Sequence, residues 1–434
     1  MLCEFIRGLH RTRGLGKLPT HQGIRHVAIA SACMVLSAAT GVVAEPSGPD
    51  EILRQAVERG DVFNVVAVAA TTDGVTYQGA FGKRFGGSNE DVSVDSIFRI
   101  ASMTKAITSV AAMQLIEEEV VSLDDPVSKY IPSFSELKVL EGFDAETHQP
   151  HLRAPSTPVT VRHLLTHTSG FGYEIWNPLL REAVANKMIP GLFAEGDGFL
   201  TAPLVFDPGS RWHYGINTDW LGRLVATVRG TRLDQVFAEK IFGPLGMRDT
   251  HFNLPPNKTS RLVSEFVRKE DGVLMELPRE TPPPVSFMSG GGGLYSTASD
   301  YARFLRALLN DGSLDNARIL RAQTVSLMGQ NQIGKLEAGA MRTLDPTLSN
   351  DFDFFPSSID RFGLGFLINS EAVAGGRASG SLTWAGLYNT YFWIDRASGV
   401  CGLFMTQILP FYDNRVVDIV EAFERAIYRE ISEP

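Results

Sequence analysis

Cysteine is scarce in this chain of 434 residues: there are three, Cys3, Cys33 and Cys401. Two lie in an N-terminal segment that reads as removable. The remaining chain then holds a single thiol and no intrachain disulfide. Cys401 sits in Gly399-Val400-Cys401-Gly402-Leu403-Phe404-Met405, which has the character of a buried strand, and apolar surroundings disfavour a reactive thiolate. Surplus positive charge is missing as well. The net charge is −9, and basic clusters are confined to the N-terminus, which argues against a nucleic-acid partner. Repeats and low-complexity tracts are absent. So is the Gly-x-Ser-x-Gly elbow of lipases. His163 and His167 are four apart, but no Glu follows His163, so the zinc motif His-Glu-x-x-His is not formed. Gly290–Gly293 lacks the Gly-Lys-Ser/Thr of a phosphate loop and reads as a turn at a sheet end. Gly363-Leu364-Gly365 lacks the third glycine of a dinucleotide fingerprint. Asp124-Asp125 before Pro126 reads as loop and cap chemistry. No metal and no cofactor is expected.

Long apolar runs are rare, with one short exception. Residues 1–26 carry Arg7, Arg11, Arg13, Lys17 and Arg25 against Glu4, and Val27–Leu36 is apolar, continuing weakly to Ala44 before Glu45-Pro46-Ser47. A basic stretch, an apolar core and a small residue before a polar break have the order of a secretory signal. Residues 1–44 are therefore expected to be removed, placing the mature chain, 45–434, in the periplasm or outside the cell with no stable membrane anchor. The competing expectation is a cytoplasmic protein with an unprocessed N-terminus.

With 44% hydrophobic residues the rest is a soluble globular chain with one catalytic domain. Asp50–Arg59 has helical spacing, and the Val- and Ala-rich run Asn64–Ala70 meets Val75-Thr76-Tyr77 across Asp73-Gly74 as a hairpin. Helices follow at Val161–Thr166, Pro178–Asn186, Trp220–Val228, Leu233–Phe242 and Ala298–Leu309. Strands return at Phe362–Ile368, Ser381–Trp384, Thr390–Ile394 and Val400–Gln407, before a last helix from about Arg415 to Tyr428. Strands at both chain ends with helices between them predict an α+β fold. One antiparallel sheet is built from both ends (about 45–101 and 289–434), flanked by helices, with a mainly helical region (about 102–288) inserted. A cleft between the two regions is the natural place for a site.

Three segments carry chemistry. Ser102-Met103-Thr104-Lys105 opens a run with helical spacing, which puts hydroxyl and amine one turn apart near the positive end of a helix dipole. A serine needs a base to become a nucleophile, and a lysine is such a base once its pKa is lowered. A second tetrad, Ser135-Glu136-Leu137-Lys138, follows Pro132 in a loop-like stretch without apolar residues to bury the amine, and is set aside. In the aromatic-rich turn from Arg211 to Gly222, Tyr214 can offer a phenolic oxygen whose pKa a nearby ammonium would lower. In the third segment, from Ser381 to Trp393, Gly386 is small enough for an edge strand to bring a backbone N–H to a developing oxyanion.

Together with Val161–Gly170, Gly290–Asp300 and Leu123–Val127, these segments resemble, in order and over about residues 50–430, the class C β-lactamase type of serine hydrolase. The resemblance is strongest to its esterase branch, the family VIII carboxylesterases. It implies Ser102 as nucleophile, Lys105 and Tyr214 as its base system, and the amides of Ser102 and Leu387 as oxyanion donors. Two departures matter. Ile216 stands where the lactamase branch has Asn, with Asn217 one residue late, and Trp384-Ala385-Gly386 replaces Lys-Thr-Gly. Trp384 offers an apolar face where a lysine would meet a substrate carboxylate, so Trp384, Ala385 and Gly386 are expected to bind neutral substrates. The implied activity is cleavage of a small-molecule carboxylic ester through an acyl-enzyme. Acyl transfer to another acceptor and weak β-lactamase or amidase activity use the same motifs.

Overall fold

The computed structural model describes residues 48–432; the expected signal segment, with Cys3 and Cys33, lies outside them. Helix α1 (Pro49–Glu58) begins with Pro in its first turn, where a missing N–H costs nothing, and with Asp50 and Glu51 at the positive end of its dipole. Strands β1 (Asn64–Thr71) and β2 (Val75–Gly82) form the expected hairpin. After β3 (Ile97–Arg99), a single 3-10 turn, Ala101–Met103, leads into α2 (Thr104–Glu117), whose residues from Thr104 to Leu115 are all buried. A helix that is buried on every side belongs in the centre of a fold. The helical region supplies α3 (Val161–Leu165), α4 (Pro178–Ala185), α5 (Asn217–Arg229) and α6 (Leu233–Phe237), which continues as a π-turn through Ala238–Phe242. The chain then returns through β4 (Tyr295–Thr297), α7 (Ala298–Leu309), β5 (Arg361–Phe362), β6 (Leu367–Ile368), β7 (Leu382–Gly386), β8 (Thr390–Asp395), β9 (Val400–Met405) and α8 (Asn414–Ser432).

The main sheet has seven strands in the order β5-β6-β7-β8-β9-β1-β2, antiparallel throughout, so it is built from both chain ends as expected. Side chains alternate across it with period two. Phe392 meets Tyr301 of α7 on one face, whereas its neighbour Trp393 meets Phe423 of α8 on the other. The sheet is thus held between helices.

Three details differ from expectation. Phe362–Ile368 is not one strand but a hairpin whose turn is Gly363-Leu364-Gly365-Phe366, with Gly365 at φ +100°. Residues 289–360 add no strand to the main sheet; β4 pairs with β3 and, through Tyr295, bridges to His251. Finally, β7 is not the edge strand: β6 covers Leu382 and Thr383, but the pairing stops there, leaving Trp384-Ala385-Gly386 without a strand partner on that side among the described residues.

Candidate active site

Ser102 lies on a strained turn. Ala101 has φ +41°, a left-handed conformation that costs a non-glycine residue about 1–3 kcal/mol and persists only where the surroundings enforce it. The enforcing contacts surround it. Gln407 clamps Arg99 from both sides, its Oε1 accepting from the Arg99 amide and its Nε2 donating to the Arg99 carbonyl, each at 3.0 Å. The Ile100 amide donates to Leu294 O at 3.1 Å, and Tyr301 Oη donates to Met103 O at 2.9 Å.

One turn into α2, Lys105 Nζ lies 3.1 Å from Ser102 Oγ, 3.2 Å from Tyr173 Oη and 2.6 Å from the carbonyl oxygen of Gly291. The amine is 2% exposed, and burial pushes its pKa down to about 7, partly opposed by the Asp219 carboxylate. At that value a large fraction of the amine is unprotonated at neutral pH. Its lone pair can then accept a proton from the hydroxyl beside it.

The Ser102 hydroxyl acts on the Tyr214 phenol, and Lys105 Nζ lies 4.6 Å from the centre of its ring. The expectation that an ammonium would lower the phenol pKa is not met. Burial dominates and, together with the Asp219 charge, holds the Tyr214 pKa above its ordinary value. Tyr214 is therefore a neutral phenol that can donate or relay a proton. It is brought there by backbone contact: a Cβ on Gly215 would lie 2.5 Å from the Gly172 Cα, so only glycine lets the Tyr214 and Tyr173 turns meet. The two phenol rings stand 5.2 Å apart.

Strand β7 passes directly beside the Ser102 turn. A Cβ on Gly386 would lie 2.3 Å from the Ile100 carbonyl oxygen, and Leu387 begins the turn that follows. Ala385 and Trp384 precede it, both buried. The Trp384 ring is 4.9 Å from that of Tyr214 and stacks on Phe354 at 5.5 Å, with Phe362 and Trp212 at its edges. It forms the centre of an aromatic wall. Ser135, by contrast, is exposed and donates to Pro132 O at 2.7 Å, and Lys138 is exposed too.

The structure also brings in residues that sequence reasoning missed. Tyr173 and Gly291 contact Lys105 directly, and Asp219 is buried behind them, its carboxylate accepting from Ser289 Oγ at 2.5 Å and from the Gly291 amide at 3.0 Å. Gly290–Gly293 is thus part of the site's wall as well as a turn. Asn217 turns away from Ser102: its Nδ2 is 2.9 Å from His167 Nδ1, its Oδ1 accepts from Ser169, and Ile216 is buried before it. His167 lies beyond the end of α3 at φ +56°, while the Nδ1 of His163 accepts the Thr160 amide at 3.2 Å, so the two do not share a helix face.

A serine–lysine pair at the head of a buried helix, faced by a phenol and by a strand end of a mixed α/β fold, is the arrangement of a serine hydrolase or acyltransferase of the β-lactamase type. The chain belongs to the β-lactamase family, which matches residues 50–426. Monacolin J acid methylbutanoyltransferase of Aspergillus terreus is 34% identical over 401 residues, covering 87% of this chain and 94% of the relative. Lovastatin esterase of Penicillium rubens is 32% identical over 404 residues, covering 88% and 98%. Unliganded simvastatin synthase from Aspergillus terreus superposes with a TM-score of 0.75 at 30% identity, over 89% of this chain and 98% of that one. Acyltransferases and an esterase thus stand at similar distance from this chain.

Proposed function

We propose that this protein is a serine carboxylesterase that forms an acyl-enzyme on Ser102 from small neutral esters. The observation that carries the reading is the Lys105 amine, 3.1 Å from the Ser102 hydroxyl with its pKa pushed down to about 7. Neutral Lys105 takes the Ser102 proton as Oγ attacks the ester carbonyl. The backbone amides of Ser102 and Leu387 stabilise the oxyanion. Tyr214, kept protonated by burial, passes a proton to the leaving alcohol and is refilled from Lys105. Water then attacks the acyl-enzyme by the reverse proton path, releasing the acid. Trp384 and the rings around it form the surface for an apolar acyl or alcohol group, and the unpaired side of Trp384–Gly386 receives the ester backbone.

A second reading is acyl transfer, in which an alcohol replaces water. It is favoured by the similarity to the methylbutanoyltransferase, which is as extensive as that to the esterase. The two share every residue named above. One experiment separates them: p-nitrophenyl esters of graded chain length are assayed beside a chromogenic cephalosporin, with the acyl-enzyme followed by intact mass and products analysed with added alcohol. Acid as the main product with alcohol present supports the esterase, and ester as the main product supports the transferase. Absence of any covalent adduct on Ser102 refutes both.

A further inference from the structure

Two helices grip the same glycine loop, and each does so twice, one turn apart. From α2, Lys105 Nζ donates to the Gly291 carbonyl at 2.6 Å, and Thr108 Oγ1 donates to the Gly290 carbonyl at 2.7 Å. From α5, Asp219 accepts the Gly291 amide at 3.0 Å, and a Cβ on Gly222 would lie 3.2 Å from the Gly290 Cα. Gly291 therefore presents its N–H to the carboxylate and its C=O to the amine. No other residue fits there, since a Cβ would lie 2.2 Å from Asp219 Oδ2. Asp219 is 1% exposed, and Ser289 Oγ holds it on the side of Gly291, at 2.5 Å.

A carboxylate buried so deeply needs a reason, because desolvation disfavours its charge. Beyond the hydrogen bonds of Ser289 and Gly291, the cation acting on it is Lys105; the phenols of Tyr173 and Tyr214 also feel its charge, and Lys105 in turn acts on the buried His167. We infer that Asp219 is a positioning residue for the acyl-transfer reaction: through Gly291 it fixes the Lys105 amine against Ser102, and its charge balances the ammonium that Lys105 becomes on taking the Ser102 proton. The inference rests on the proposed role of Lys105 as base. Proton and charge balance within the pair: the proton moves from Ser102 Oγ to Lys105 Nζ, and the positive charge forms next to an existing negative one.

The sign of the effect follows. Removing the carboxylate's charge lowers the Lys105 pKa, because the Asp219 charge favours the ammonium. A nearby opposite charge shifts a pKa by about 1–3 units. In Asp219→Asn, which keeps the shape and an acceptor for Gly291, the ascending limb of the pH profile should move about one unit or more to acid. The plateau should fall about tenfold or more, since the ammonium has lost its counter-charge. Ser289→Ala, which weakens the hold on Asp219 without changing formal charge, should move the limb in the same direction by less.

The test uses the rate of covalent labelling of Ser102 by a fluorophosphonate as a function of pH, in wild type and both variants, with folding checked by circular dichroism and thermal melting. Failure of Ser102 to be labelled in wild type overturns the function itself. Labelling in wild type with a limb that stays in place in Asp219→Asn overturns the role of Asp219 and leaves the function standing. If Asp219→Asn does not fold, Ser289→Ala decides: an acid shift supports the inference, and an unshifted limb overturns it.

Discussion

The indole nitrogen of Trp384 lies 3.4 Å from the hydroxyl oxygen of Tyr214, 170 residues apart in sequence. The residue expected to set substrate polarity therefore also touches the phenol placed to move a proton. Selectivity and turnover should be linked at this position. In Trp384→Phe the aromatic face remains and the N–H is lost. Activity on neutral esters should fall in kcat more than it rises in KM, as measured by steady-state kinetics on one ester. An unchanged kcat would show that the contact has no catalytic weight.

Replacement of Trp384 by lysine restores the cation found in the lactamase branch. A charge-assisted hydrogen bond is worth roughly 1.5–3 kcal/mol, so the ratio of kcat/KM for a carboxylate-bearing ester to its neutral analogue should rise about ten- to a hundredfold. The ring's contacts with Phe354 and Phe362 are lost as well, so neutral esters should suffer in absolute rate. An unmoved ratio would sink the role of Trp384 in selectivity.

Activity should rise with pH through about 7. Lys105 must be unprotonated to accept the Ser102 proton, and its pKa is pushed down to about 7 by burial. Below that value the amine is charged and the rate falls tenfold per pH unit. The limb is an apparent property of the Lys105–Asp219 pair. A profile of kcat/KM on a neutral ester checks it, and an ascending limb near 10 would mean that the Lys105 amine keeps its ordinary pKa and is not poised as a base at neutral pH.

Gly386→Ala should damage catalysis more than binding. The added Cβ would meet the Ile100 carbonyl oxygen at 2.3 Å and push β7 away from the Ser102 turn. Loss of an oxyanion donor costs about 10²–10³ in kcat, and KM should change little. Unimpaired kcat would place the second donor elsewhere than in the turn after Gly386.

Stability has its own test far from Ser102. Arg377 Nε and its backbone amide both donate to Glu424 Oε1 at 2.9 Å, with both side chains buried. Breaking a buried pair by removing one partner costs roughly 3–5 kcal/mol. Glu424→Gln should lower the denaturant midpoint accordingly while leaving the pH profile of the folded enzyme unchanged.

The N-terminal segment calls for a chemical measurement. We expect mass spectrometry of the exported protein to find a mature N-terminus near Glu45. An intact N-terminus in the cytoplasmic fraction would count against a cleaved signal.

Local pattern alone was enough for much of this protein. Helix α7 begins and ends where apolar spacing put it, since Thr297 accepts the Asp300 amide as an N-cap and nine of its residues face the core. The Ser102–Lys105 pair was legible because its geometry is set by one helical turn, and Trp384-Ala385-Gly386 because the motif is contiguous. Strand boundaries at Phe362–Ile368 were not, because two glycines in an apolar run hide a hairpin that only strand pairing reveals. The surroundings of Lys105 could not be read from the chain either. Tyr173 is 68 residues and Gly291 186 residues away in sequence, and their approach depends on glycine contacts between turns. The ionisation of the site followed the same division. The residue types said which groups can titrate, but the direction of the Tyr214 shift was decided by burial, and burial exists only once the sheet, α2 and α5 have closed around it.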